Sequence, residues 1–300
     1  MTTAPCHTAP PAQESAAHRV LAVLAQHRMA TSAQLKEMLG MNRSALSRLL
    51  SRLHRQDLIA FITLPRAARA RAWFLQPDGV RATRDWPELR GRPPYPVTSA
   101  TAASLRTAHT LTAVRTHLAF ARDARERGDE HGPLDWTPEV SHQLPDAERL
   151  ISDALLHYTL HEAGDRRVQL RAFVEVDRAT MTAERLASKL IEYARFHTYT
   201  PVPVGRRSMQ QAPATGPAWQ RWYPVFPRVL FVLTGAGPTA LANRTASLRA
   251  MAAEHPLVAS MARRVPLGAA VLEDLEAHGP RAAVWQPLDG RTAPCSWTDL

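Results

Sequence analysis

Between Ser15 and Arg55, apolar residues return at helical spacing three times. In the first stretch Val20, Leu21, Val23 and Leu24 share one stripe, closed by His27 and Arg28, which predicts a supporting helix. In the second, Thr31 and Gln34 have the spacing of a capping box. Leu35, Met38 and Leu39 form its buried face, and Gly40 marks its stop. The third opens at Asn42, a good N-cap, and sets Leu46, Leu49, Leu50 and Leu53 on one side. Its other side carries only arginine and serine: Arg43, Ser44, Ser47, Arg48, Ser51 and Arg52. Leu58 to Leu64 and Ala70 to Leu75 then read as two strands around a basic tip, Pro65-Arg66-Ala67-Ala68-Arg69.

A proline-rich run follows Trp86-Pro87, through Arg90-Gly91-Arg92-Pro93-Pro94-Tyr95-Pro96. It continues neither a helix nor a central strand, so residues 86–101 read as a linker. From Ala102 to Arg127 helical spacing returns through Leu105, Leu111, Val114, Leu118 and Phe120. Beyond Trp136-Thr137-Pro138-Glu139-Val140 and a polar stretch the period changes. Asp153 to Leu160 predicts a strand entered through its aspartate, and Val168 to Val176 a second strand ending in Glu175-Val176-Asp177. Ala183 to His197 is helical, with Leu186, Leu190 and Ile191 on its apolar face. An insertion at 201–227 carries Trp219, Trp222 and Tyr223, which either anchor a long loop or stack on nucleic-acid bases. Residues 229–290 predict a strand, a helix, a second short helix and a final strand at Ala283 to Trp285, completing a mixed sheet flanked by helices.

Three hundred residues with 45% hydrophobic content allow about two domains. The net charge of +10 divides unevenly: residues 1–96 carry +8 and residues 97–300 only +2. A basic module ahead of a near-neutral body suits docking on a polyanion. Helix–turn–helix followed by a basic hairpin is a winged helix, and its contact residues for double-stranded DNA are expected to be Arg43, Ser44, Ser47, Arg48, Arg52, Arg66, Arg69 and Arg71. The competing reading is a solvated arginine face on an ordinary three-helix bundle. No apolar run is long enough to span a membrane, and residues 1–13 lack the basic start and apolar stretch of a secretion signal, so that segment reads as a tail. Cys6 and Cys295 stand in the two terminal segments and make no disulfide framework, which fits a reducing cytoplasm.

Candidate chemistry lies in the body. Along a strand Glu175 and Asp177 share a face, and a hairpin that brings Asp153 beside them gathers two or three carboxylates. Such a group needs a cation, and oxygen-only ligands suit Mg²⁺ or Mn²⁺, held by Asp153 and Glu175. Lys189 and Tyr193 stand four apart on the following helix, hence on one face, from which the lysine can reach the carboxylates. Against this stands a bland alternative, in which Glu175 and Asp177 only make salt bridges with Arg178, Arg166 or Arg171.

At these residues the chain resembles a family. Trp136 to Glu139, Ser152-Asp153-Ala154, Phe173 to Thr180 and Lys189 to Tyr193 look like the replication-relaxation proteins of plasmids and mobile elements. The resemblance implies an N-terminal winged helix and a body similar to PD-(D/E)xK nucleases. Glu139, Asp153, Glu175 and Lys189 would fill the roles of a helical or loop glutamate, a strand-opening aspartate, a strand-closing acid and a lysine, with Asp177 and Tyr193 beside them. Pro145-Asp146 is an alternative match for the motif aspartate, and Asp177 occupies the place where such a lysine normally stands.

Other chemistries lack their residues: there is no His-x-His triplet, no HExxH, no glycine-rich phosphate loop and no GxSxG. His109 and His117, eight apart on the long helix, read as packing or partner-contact residues. The expected fold is α/β, with a winged helix-turn-helix at 14–85 and a restriction-endonuclease-like domain at 102–290, then a tail at 291–300. The expected function is DNA binding, with Mg²⁺-dependent nicking or cleavage as one outcome and a non-enzymatic regulator or replication accessory factor as the other. A homodimer through the 102–127 helix is also expected.

Overall fold

The computed structural model describes residues 15–64, 69–89, 100–145, 148–201 and 216–300, which divide into two units, Met1–Ala103 and Ser104–Leu300. Arg66, Asp146, the N-terminal tail and most of the linker and insertion lie outside the described residues. Among the described residues no helix is long and apolar enough to cross a membrane.

The first unit opens with α1 (Ala16–His27), capped by Ser15, whose hydroxyl accepts from His18 N. The capping box of α2 (Ser32–Leu39) is closed in both directions: Thr31 Oγ1 accepts from Gln34 N, and Gln34 Oε1 accepts from Thr31 N. Gly40 ends that helix with φ +63°, a left-handed turn that costs glycine no Cβ clash. Asn42 then caps α3 (Arg43–Arg55), whose buried residues are Leu46, Leu49, Leu50 and Leu53. Strands β1 (Ala30–Thr31), β2 (Ile59–Thr63) and β3 (Arg71–Leu75) form an antiparallel sheet in the order β1-β3-β2. A helix not foreseen in the sequence, α4 (Pro77–Thr83), follows β3 with proline in its first turn. Packing continues to Leu89, 2% exposed, and Trp86 stacks on His18 with ring centres 3.8 Å apart. Residues 86–89, expected in the linker, therefore belong to the packed unit.

The second unit is built on a six-stranded mixed sheet in the order β4-β5-β6-β7-β8-β9. Strands β4 (Trp136–Gln143), β5 (Arg149–Glu162) and β6 (Arg166–Asp177) run antiparallel. Next come β7 (Arg228–Leu233) and β8 (Leu267–Val271), parallel to β6, and β9 (Gln286–Pro287), antiparallel to β8. Side-chain alternation divides the core into two layers. One face of the sheet, with Phe173, Phe231 and Leu233, packs on α6 (Ala183–Thr198), α7 (Pro238–Glu254) and α8 (Pro256–Ala262). The other, with Val174, Val176 and Val232, packs on α5 (Ala100–Arg127) and α9 (Leu272–His278). Each of these fully buried side chains contributes about 1.5–3 kcal/mol.

Several expectations are corrected. The periodicity signals neither strand β8 (Leu267–Val271) nor helix α9, and the last strand is Gln286–Pro287 rather than Ala283 to Trp285. Asp153 lies inside β5, which begins at Arg149, instead of opening it. The segment 291–300 is no tail: Trp297 is fully buried, Cys295 exchanges backbone hydrogen bonds with Trp285, and Arg228 donates to the carbonyls of Trp297, Thr298 and Leu300. Within the insertion, Tyr223 and Phe226 are buried and Trp219 Nε1 donates to His197 O, an anchoring role, while Trp222 is half exposed.

Candidate functional site

In the first unit, the amphipathic division of α3 decides what the surface offers. Its leucine stripe is buried, which leaves Arg43, Ser44, Ser47, Arg48, Ser51 and Arg52 exposed. Ser44 Oγ donates to Asn42 Oδ1, tying the start of that face to the cap. Among the described residues none of Arg43, Arg48 and Arg52 pairs with a carboxylate. Arg71, on β3, extends over the Phe61 ring at 4.3 Å, and Arg69 is exposed at the hairpin with φ +58°. A cation held over an aromatic face keeps its charge available while its position is restricted.

In the second unit, sheet register assembles a row of acids. Pro138 pairs with Ala154 and Val140 with Ser152, so Glu139 stands opposite Asp153. Ala154 pairs with Val174, which puts Glu175 one step along on the next strand. Glu139 has φ +48° and is exposed on the edge strand, not on a helix or loop, with Arg106 4.0 Å away. Asp153 accepts a hydrogen bond from Val176 N at 2.7 Å through Oδ2, while its Oδ1 lies 3.1 Å from His109 Nε2. Glu175 is 3% exposed and receives the Tyr193 hydroxyl at 2.6 Å. Lys189 reaches in from α6, donating to Ile151 O at 2.8 Å, with its Nζ 3.8 Å from Glu175 Oε1 and 3.5 Å from Glu192 Oε2.

The electrostatics follow from this enclosure. Burial, then the charge of Asp153, pushes the Glu175 carboxyl up to about 8, with Lys189 and the Tyr193 hydrogen bond opposing. Burial beside that carboxylate raises the Tyr193 phenol well above its ordinary value, so Tyr193 serves as a hydrogen-bond donor. The Asp153 hydrogen bond raises His109.

Asp177 does not join this group. It is 1% exposed, and its Oδ2 accepts from Arg244 Nη1 at 2.5 Å; the same guanidinium donates to Met181 O. Its expected catalytic place is thereby corrected: the residue is tied to α7 by an ion pair, with Arg244 as the partner rather than Arg178, Arg166 or Arg171. One contributor was missed in the sequence: His109, read as a packing or partner-contact residue, touches Asp153. Ser152, already part of the motif, donates its Oγ hydrogen to Ala154 O at 2.8 Å beside it. Forty-four positions separate His109 from Asp153, so no local spacing signals the pair. The buried His117 and His131 rings meet at 2.9 Å, and burial lowers His131 well below the ordinary histidine range.

Among curated proteins none matches this chain. A solved structure of a zinc-responsive MarR family member, Lactococcus lactis ZitR, is similar at 17% identity and a TM-score of 0.21, over 27% of this chain and 55% of that one. The match thus spans about half of that protein's length. A family model described as replication-relaxation matches residues 21–204, a stretch that takes in α3 with its hairpin as well as Asp153, Glu175 and Lys189. Covering more than half of the sequence, that match places the chain in the replication-relaxation family.

Proposed function

We propose that this protein binds double-stranded DNA in the replication of plasmids or other mobile elements, and that its first unit is a winged helix reading the duplex through α3 and the hairpin. One observation carries the proposal: α3 buries four leucines and turns only arginine and serine outward. Arginine and serine on one helix face match phosphate oxygens and base edges, and family membership supports the replication role. The test is duplex binding measured against salt. Affinity should fall linearly on a logarithmic salt scale, by about 0.9 for each phosphate neutralised. Absence of binding at low salt would overturn the reading.

A second reading, a PD-(D/E)xK-like nuclease site in the second unit, is favoured by the convergence of Asp153, Glu175 and Lys189. Among the described residues no group of three or more His, Cys, Asp or Glu side chains stands ready for a metal ion; the acidic donors would be the two carboxylates that neighbouring strands set side by side, Asp153 and Glu175. That donor set fits Mg²⁺ or Mn²⁺, which are often held by one or two carboxylates with water completing the shell. The upward shift of Glu175, to which Asp153 contributes, is a cost that a cation relieves. When bound, such an ion supplies a Lewis acid and an activated water. Tyr193 fixes the Glu175 carboxyl, and Lys189, anchored on Ile151 O, holds a positive charge where a phosphate's negative charge would gather. Supercoiled plasmid with Mg²⁺ or Mn²⁺ should be nicked by wild type and spared by Asp153→Ala, Glu175→Ala and Lys189→Ala. Plasmid that stays supercoiled with either ion leaves the accessory-factor role alone standing.

A further inference from the structure

A cleft of about 580 Å³ opens between α2, α3 and the hairpin of the first unit. Among the described residues, four cations line it, Lys36, Arg43, Arg69 and Arg71, together with the hydroxyl residues Ser47 and Ser51, and no carboxylate does. Lys36 is exposed, and among the described residues it pairs with no acid. Of 37 basic residues in the chain only two are lysines, and this is one of them.

The walls decide what kind of group fits. Leu46 and Leu50 are each 2% exposed and Trp73 is 3% exposed, so the floor presents no open aromatic face on which a base could stack. Trp73 is further fixed by donating its Nε1 hydrogen to Ser32 Oγ at 2.9 Å. The charged groups stand at the rim, where a backbone passing over the opening would meet them. Arg48, Arg52 and Arg55 line a separate hollow on the other flank of α3, with Met41 and Ala16. The outward face of the helix is therefore divided between two flanks.

We infer that the cleft seats a phosphodiester of the DNA backbone, with Lys36 as a phosphate contact on α2 and Arg43 and Arg71 closing around it. The assignment rests on the DNA-binding reading above and adds a residue from a helix that reading did not use. A phosphate contact carries no sequence information, so its loss weakens all duplexes alike, whereas loss of a base contact changes the order of preference.

The experiment compares wild type, Lys36→Ala and Lys36→Arg on a panel of duplexes of unrelated sequence across a salt series. Lys36→Ala should weaken every duplex by a similar factor and lower the salt slope by about 0.9. Its deficit should therefore shrink roughly 3.5-fold between about 50 and 200 mM salt. Lys36→Arg should restore the slope, and both variants should melt with wild type because the side chain is exposed. Wild-type binding with an unchanged slope in Lys36→Ala, or a loss confined to some sequences, overturns the cleft assignment and leaves the DNA-binding reading intact. Failure of wild type to bind any duplex overturns both.

Discussion

Arg43, Arg48 and Arg52 of the first unit stand in solvent with no carboxylate partner among the described residues, whereas Glu175 and Asp177 of the second are 3% and 1% exposed and held by groups from other elements. The difference lies in what each charge costs the fold. An exposed arginine keeps its hydration, so the folded state neither gains nor loses much by it, and its clustering is what the proposed DNA partner would use. A buried carboxylate loses its hydration and persists only where donors or cations are supplied. The first unit displays charge on one helix face; the second confines it between sheet and helix.

The largest effect expected from this contrast concerns Glu175. Its ordinary value is 4.5 and the folded one about 8, so the unfolded chain gives up this proton at lower pH than the folded one does. Below pH 4.5 both states hold the proton and nothing is lost; as pH rises towards 8 only the unfolded state is ionised, and folding stability falls. The difference amounts to roughly 4–5 kcal/mol and is complete above pH 8. Glu175→Gln keeps an acceptor for Tyr193 and cannot ionise. Urea unfolding in chelator should show wild type losing stability relative to this variant between pH 4.5 and 8, and parallel curves would mean that the carboxyl is hydrated. Next in size is Arg244→Ala, which strands the Asp177 carboxylate at 1% exposure and should cost about 3–5 kcal/mol. Removing Asp177 as well should cost less than removing Arg244 alone, because no buried charge is left behind. Equal losses would show that the pair is not what holds α7.

How far each unit could be read from the sequence follows the same division. The caps and stripes of α2 and α3 depend on residues three or four apart, so Thr31, Gln34, Asn42 and the leucines announce them locally. In the second unit the family likeness and strand alternation brought Asp153, Glu175 and Lys189 forward, but their partners come from far along the chain. Arg244 lies 67 positions from Asp177, and His109 comes from α5, on the opposite side of the sheet from α6. Alternation puts Asp177 on the face of Glu175, and only the tertiary structure supplies its guanidinium. Strand β8, Leu-Gly-Ala-Ala-Val, is buried by its neighbours although glycine and alanine give it little strand character of its own. Trp297 is a single aromatic in a polar segment, where no period exists to mark it as core.

The smallest expected change in stability is in α3, and it makes the comparison sharpest. In the triple variant Arg43→Ala, Arg48→Ala and Arg52→Ala the leucine stripe and the Asn42 cap are untouched, and alanine is the better helix former. Arg52 stands in the last turn, where its charge favours the helix dipole, so its loss offsets part of that gain by a few tenths of a kcal/mol. Denaturant unfolding should therefore move by less than about 0.5 kcal/mol per site. The same variant should bind duplex DNA more weakly, and its salt slope should drop by about 0.9 for each arginine that met a phosphate. If stability fell by several kcal/mol while the slope stayed constant, the arginines would belong to the fold, and the two units would carry their charges in the same way.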